Sequence, residues 1–143
     1  MLFSEASGHK VVSTGNAATV GHVGSFVIDP TVQKVVALSL KKTPGTGTIL
    51  PWSDVTAFGA DAVTVAGDHL IVAEEGTFAE LNSKHHAILK KRILTSGGQQ
   101  VGTVRDVDFD PADGSILGIL TDDQPIDGSS LIGIGSYAVV VKI

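Results

Sequence analysis

The chain says nearly the same thing twice. Residues 20–38 read VGHVGSFVIDPTVQKVVAL, and 81 positions later residues 101–119 read VGTVRDVDFDPADGSILGI. Five of these nineteen positions are identical: Val20/Val101, Gly21/Gly102, Val23/Val104, Asp29/Asp110 and Pro30/Pro111. The apolar positions recur as well, in Phe26/Val107, Ile28/Phe109, Val35/Ile116, Val36/Leu117 and Leu38/Ile119. An internal repeat decides architecture before any motif is read, because each copy must fold as one unit and bury its apolar face on a neighbour. A half of about 70 residues has a thin core, so two such halves gain by packing on each other or on a second chain.

The repeat unit reads as β. In residues 101–110 the alternate positions differ in polarity, which suits a half-buried strand. Asp-Pro then opens a turn, PADGS at 111–115, and residues 116–120 supply the return strand. The first copy does the same with PTVQK at 30–34, without the glycine. Residues 20–40 and 101–121 are therefore two β-hairpins. Each is followed by a turn (KKTPGTG at 41–47, DDQPIDGSS at 122–130) and two more strands, at 48–52 and 62–65 and at 131–134 and 138–141. Residues 59–65 align with 135–141 at an offset of 76, so the second copy has lost five residues in this connection. Between the copies, residues 69–73 extend the first sheet and 78–84 hold a helical turn. The expected division is a first unit at 1–73, a linker at 74–84 and a second unit at 85–143.

Composition narrows the function classes. The chain has 143 residues, no cysteine and a formal net charge of −5. Disulfides, thiol catalysis and zinc–thiolate sites are excluded. Residues 1–72 carry four Lys/Arg and five Asp/Glu, a balance of −1, while 73–143 carry six and ten, a balance of −4. That acidity argues against a general nucleic-acid binder, which needs a basic surface. No apolar run approaches the roughly 20 residues that span a bilayer, and MLFSEASGHK lacks the basic region and apolar core of a secretory leader. The expected location is cytoplasmic.

The arrangement V-G-x-V-x-x-x-x-x-D-P, then an aliphatic strand, then LPWSDV (50–55) and GADAVTV (59–65), resembles the PRC-barrel domain. This family is named for the cytoplasmic domain of the photosynthetic reaction centre H subunit and includes the C-terminal domain of the ribosome maturation factor. QVGTVRDVDFDPADGSILGI (100–119) matches its core more closely still. The resemblance covers residues 3–66 and 85–143. The second copy departs from it after the hairpin, with Pro125-Ile126-Asp127 where the first has Leu50-Pro51-Trp52. The resemblance implies an all-β protein of two tandem small antiparallel β-barrels packed as a pseudo-dimer. It carries no shared catalytic residues and no cofactor. It implies a scaffold or docking module for protein partners or membrane-bound complexes.

Three constellations stand apart from the repeat. Asp106, Asp108, Asp110 and Asp113 bring carboxylates to alternate strand positions, a pattern that suits a hard cation. The calcium-loop pattern fails, however, with Pro111 where Gly and Leu117 where the bidentate Glu should stand. The plainer account is a solvated strand face and an Asp-Pro turn. Lys84, His85, His86, Lys90, Lys91 and Arg92 form a local basic patch, which suits an acidic partner or RNA phosphates. Trp52, after Pro51, is an inter-barrel packing residue or a partner platform. Catalysis has little support: there is no G-x-S-x-G elbow, and GIGS at 133–136 does not precede a helix.

The chain is accordingly expected to be a non-enzymatic protein-interaction scaffold. Trp52, Lys84, Lys90, Lys91 and Arg92 are its candidate contacts, the partner is a protein of unknown identity, and homo-oligomerisation is compatible with the pattern. An RNA- or ribosome-associated factor and a divalent-cation-binding barrel at Asp106–Asp113 are the alternatives. Peripheral association with a membrane complex also fits.

Overall fold

The computed structural model describes residues 1–83 and 87–142. Two six-stranded sheets carry the repeat. The first holds β1 (Lys10–Ser13), β2 (Thr19–Asp29), β3 (Lys34–Lys41), β4 (Ile49–Pro51), β5 (Val55–Phe58) and β6 (Ala62–Val65), in the order β4-β3-β2-β1-β6-β5. The second holds β7 (Arg92–Thr95), β8 (Gln100–Phe109), β9 (Ile116–Thr121), β10 (Ile126–Asp127), β11 (Leu131–Ile134) and β12 (Val139–Val141), in the order β10-β9-β8-β7-β12-β11. The strand order is identical, as a duplication requires. One pair in each sheet, β1 with β6 and β7 with β12, is parallel. The barrels are therefore mostly rather than wholly antiparallel, because the last strand crosses over to lie beside the first.

The two expected hairpins are β2–β3 and β8–β9. Strands β1, β5 and β7, each four residues long, are not singled out by the sequence reading. Residues 122–130, read as turn, contain β10 and a 3-10 turn at Gly128–Ser130. Strand register also corrects the alignment here. Leu38 faces Leu50 and Ile119 faces Ile126, so Leu50, Pro51 and Trp52 correspond to Ile126, Asp127 and Gly128.

One core serves both copies. Val11, Val23, Leu38, Leu50 and Val63 of the first sheet join Ile93, Val107, Phe109, Ile119 and Val139 of the second in a single buried cluster. Four of the five phenylalanines and the single tryptophan meet in it. Phe109 is fully buried, with ring centroids of Phe3, Phe26, Phe58 and Trp52 at 5.5, 5.4, 5.4 and 6.3 Å. Only Phe109 among these five comes from the second copy. Its first-copy counterpart is the smaller Ile28, also buried.

The hairpin turns lock the copies together. Val35 N donates to Gly114 O at 2.8 Å, and Ile116 N donates to Gln33 O at 2.9 Å. The two bonds are related by the same 81-residue offset, so the pairing is reciprocal, as in a two-fold interface. Gly114 and Gln33 both adopt left-handed backbone, with φ of 82° and 51°. Glycine takes that conformation without strain, whereas Gln33 holds it with its side chain, donating to Leu131 O at 2.9 Å. Trp52 lies over Gly114, where a Cβ would come within 3.2 Å of the indole.

The segments outside the sheets tie down particular faces. Helix α1 (Phe3–Ala6) and the residue before it lie along β8, with Phe109 N donating to Met1 O at 2.8 Å and Leu2 bridging Asp108. Residues 66–83 wrap the first sheet. Val72 pairs with Ile49 on the free edge of β4, the extension expected for 69–73. Helix α2 (Gly76–Leu81) sets Phe78 and Leu81 on Val27, Ala37 and Ile49.

Candidate functional site

The acidic stretch is distributed among separate structural tasks. Asp106 accepts from Ser4 N at 3.2 Å and from the Ser4 hydroxyl. Asp108 accepts from Met1 N at 2.9 Å. Asp110 and Asp113 close turns, each accepting from the backbone two residues on, Ala112 N and Ser115 N, at 2.9 Å. The Ser115 backbone and hydroxyl, with Lys34 nearby, hold Asp113 below the usual carboxylate range. Among the described residues no three His, Cys, Asp or Glu side chains converge to hold a metal ion.

Only part of the basic stretch falls within the described residues. Lys84, His85 and His86 lie outside the described residues. Lys90 and Arg92 are exposed, while partial burial pushes the Lys91 ammonium below the ordinary lysine range. Trp52 is committed to the seam, stacked on Phe58 at 5.8 Å and edge-on to Phe109. One sheet edge is met as well, where Val72 bridges Ile49 of β4.

Arg92 leads to a surface that the sequence reading did not single out. Its guanidinium carbon sits 4.4 Å from the ring centroid of Tyr137, a cation–π contact that fixes the ring's attitude. Tyr137 is 63 % exposed. It borders an open groove of about 420 Å3 lined by Leu94, Gly133, Ile134, Ala138 and Val140. Register explains the arrangement. Gly133, Val140 and Leu94 are successive partners across β11, β12 and β7, so they form one row on one face. Ile132, on the edge strand β11, is also 46 % exposed.

The first copy carries the same row in the same register, as Ala57, Thr64 and Val12. Its chemistry differs. Val140 is replaced by Thr64, which donates to Ala57 O, Ile132 by Thr56, and Tyr137 by Asp61. The backbone is shared between the copies, and the exposed apolar face is not. The signal for it lay in the sequence, in the loss of polar residues from the outward positions of 131–141 relative to 55–65.

No curated protein matches the chain. Residues 82–143 match the family model described as PRC-barrel domain. Residues 10–65 repeat the strand order of that matched half. Residues 82–143 are thus similar to the PRC-barrel domain family, and the two sheets of like strand order suggest a tandem of such units.

Proposed function

We propose that this protein is a non-enzymatic interaction scaffold whose docking face is the outer groove of the second barrel, at Leu94, Tyr137 and Val140. One observation carries the reading: an exposed apolar groove stands in one copy where the other, on the same backbone, is polar. A stable fold does not need this face to be apolar, because the first copy does without it. Contiguous exposed apolar area rimmed by polar groups is characteristic of protein contact sites, and a half-exposed tyrosine with an arginine beside it is the composition such sites favour.

The test installs the first copy's chemistry. Tyr137→Asp with Val140→Thr should leave the melting temperature unchanged while abolishing recovery of the proteins that the wild-type chain retains from an extract of its native host. If both chains retain the same proteins, or neither retains any, the reading falls. Sedimentation over a concentration range separates a second copy of this chain from a different partner, since only self-association depends on the chain's own concentration.

A further inference from the structure

The outer groove of the second barrel is bracketed by charge. Arg92 stands two positions before Leu94 on β7, and Lys142 two positions after Val140 of β12. Leu94 and Val140 are partners across these parallel strands, so the two cations stand at opposite ends of the apolar pair. Four residues of strand separate their levels, or about 13 Å. Alternation sends all four side chains to the outer face, because the residues between them, Ile93 and Val141, are buried. The ladder runs on past β12, with Lys142 N donating to Ser130 O at 2.7 Å and Ser96 N donating to Val141 O at 2.9 Å, so the alternation extends to Lys142. Both cations are exposed, and neither forms an ion pair among the described residues. Asp122 is met by Arg105 Nη2 at 3.8 Å. Asp123 borders a neighbouring cleft with Lys142 but forms no ion pair with it.

The first copy lacks this bracket. Lys10 and Val12 keep the places of Arg92 and Leu94, but Ala66 stands for Lys142 and Asp61 for Tyr137. On a chain of formal charge −5, two unpaired cations around an apolar groove are a local reversal of sign, which draws acidic groups to it. Spacing then fixes the form of the occupant. An extended segment presents alternate side chains to one face, so an acid, an apolar residue and an acid at its first, third and fifth positions match Arg92, the Leu94–Val140 pair and Lys142. We propose that the groove takes an extended segment of a partner protein with the pattern acid-x-apolar-x-acid, its apolar side chain beside Tyr137 and its two carboxylates on Arg92 and Lys142. The inference rests on the docking reading of this groove and names the occupant. RNA is the poorer match, because its phosphates need a basic track rather than two cations about an apolar floor.

Acetylated and amidated peptides, titrated into the full chain and followed by the amide NMR signals of Leu94, Tyr137 and Val140, test it. Ser-Glu-Thr-Leu-Thr-Glu-Ser should shift these signals. Ser-Gln-Thr-Leu-Thr-Gln-Ser should bind up to about tenfold more weakly, since each exposed ion pair contributes about twofold to fivefold. Raising sodium chloride from about 0.05 to 0.5 M should bring the acidic peptide down to its glutamine counterpart. Lys142→Gln, an exposed change, should weaken the acidic peptide about twofold to fivefold and leave the glutamine peptide unaffected. An acidic peptide that fails to bind, that binds no tighter than its glutamine counterpart, or that is indifferent to Lys142→Gln would overturn the inference. So would a uridine octamer that shifts the same signals at a lower concentration. The docking reading fails separately, through Tyr137→Asp with Val140→Thr. A groove that loses its native partners in that variant but ignores peptide charge refutes this inference and leaves the docking reading standing.

Discussion

Replacing Phe109 with alanine should destabilise both barrels at once. The side chain is fully buried at the meeting point of the copies, and truncating such a ring costs about 3–5 kcal/mol in lost transfer and cavity terms. The four aromatic rings around it, three with centroids within 5.5 Å, place the change at the upper end, since each such pair adds to area burial. Native stability runs at about 0.05–0.15 kcal/mol per residue, so a loss of roughly 5 kcal/mol removes a quarter or more of the total. The melting temperature should fall by roughly 10–20 °C, at about 2–4 °C per kcal/mol. The chain supplies its own probes: the single Trp52 reports the first copy and the single Tyr137 the second. Because one core spans both sheets, Trp52 fluorescence and the Tyr137 near-ultraviolet signal should lose their native values in one coincident transition, in the wild type and in the variant alike. A loss under about 1 kcal/mol would refute the shared-core argument. So would a Trp52 transition that stays in place while that of Tyr137 moves.

Gly128→Ala should cost about 3 kcal/mol or more, because the new Cβ would sit 1.9 Å from Ile116 O; chemical denaturation measures it, and a neutral result would contradict the close approach of the 128–130 turn to β9. Acid should weaken the fold through two turn carboxylates. Asp113 and Asp127 are held below the usual range by the backbone and hydroxyl of Ser115 and Ser129, so their contribution is complete above the unfolded-state value near pH 4 and is lost as pH falls through the lower folded value. Denaturation midpoints of Asp113→Asn and Asp127→Asn should accordingly converge on the wild type in strong acid and separate from it near neutrality.

The acidic cluster shows where linear reading stops. Asp106, Asp108, Asp110 and Asp113 look like one site when written as a string. In space, Ser4 and Met1 arrive from a hundred residues away and take the first two, while the other two close turns within their own hairpin. Arg92, from the basic run, is stacked on Tyr137, a residue distant in sequence and brought close because β7 and β12 pair in parallel. Strands β1 and β7 lie outside the segments that repeat most clearly, 20–40 and 101–121, and are not read from them. They form because one long neighbour, β2 or β8, offers each an edge, and the short β6 or β12 then pairs on the other side.

What the sequence determined alone is the repeated hairpin: alternation fixes which residues face inward, and Asp-Pro fixes where the chain turns. Those signals are local, and both copies obey them. Tertiary structure decided how the copies share one core, with Phe109 entering the aromatic cluster of the other half and the turns at Gln33 and Gly114 exchanging hydrogen bonds. It also decided which differences between the copies became surfaces. Residues far apart in sequence acquire common chemistry only when pairing sets them side by side, as it does for Leu94 and Val140 in the second barrel.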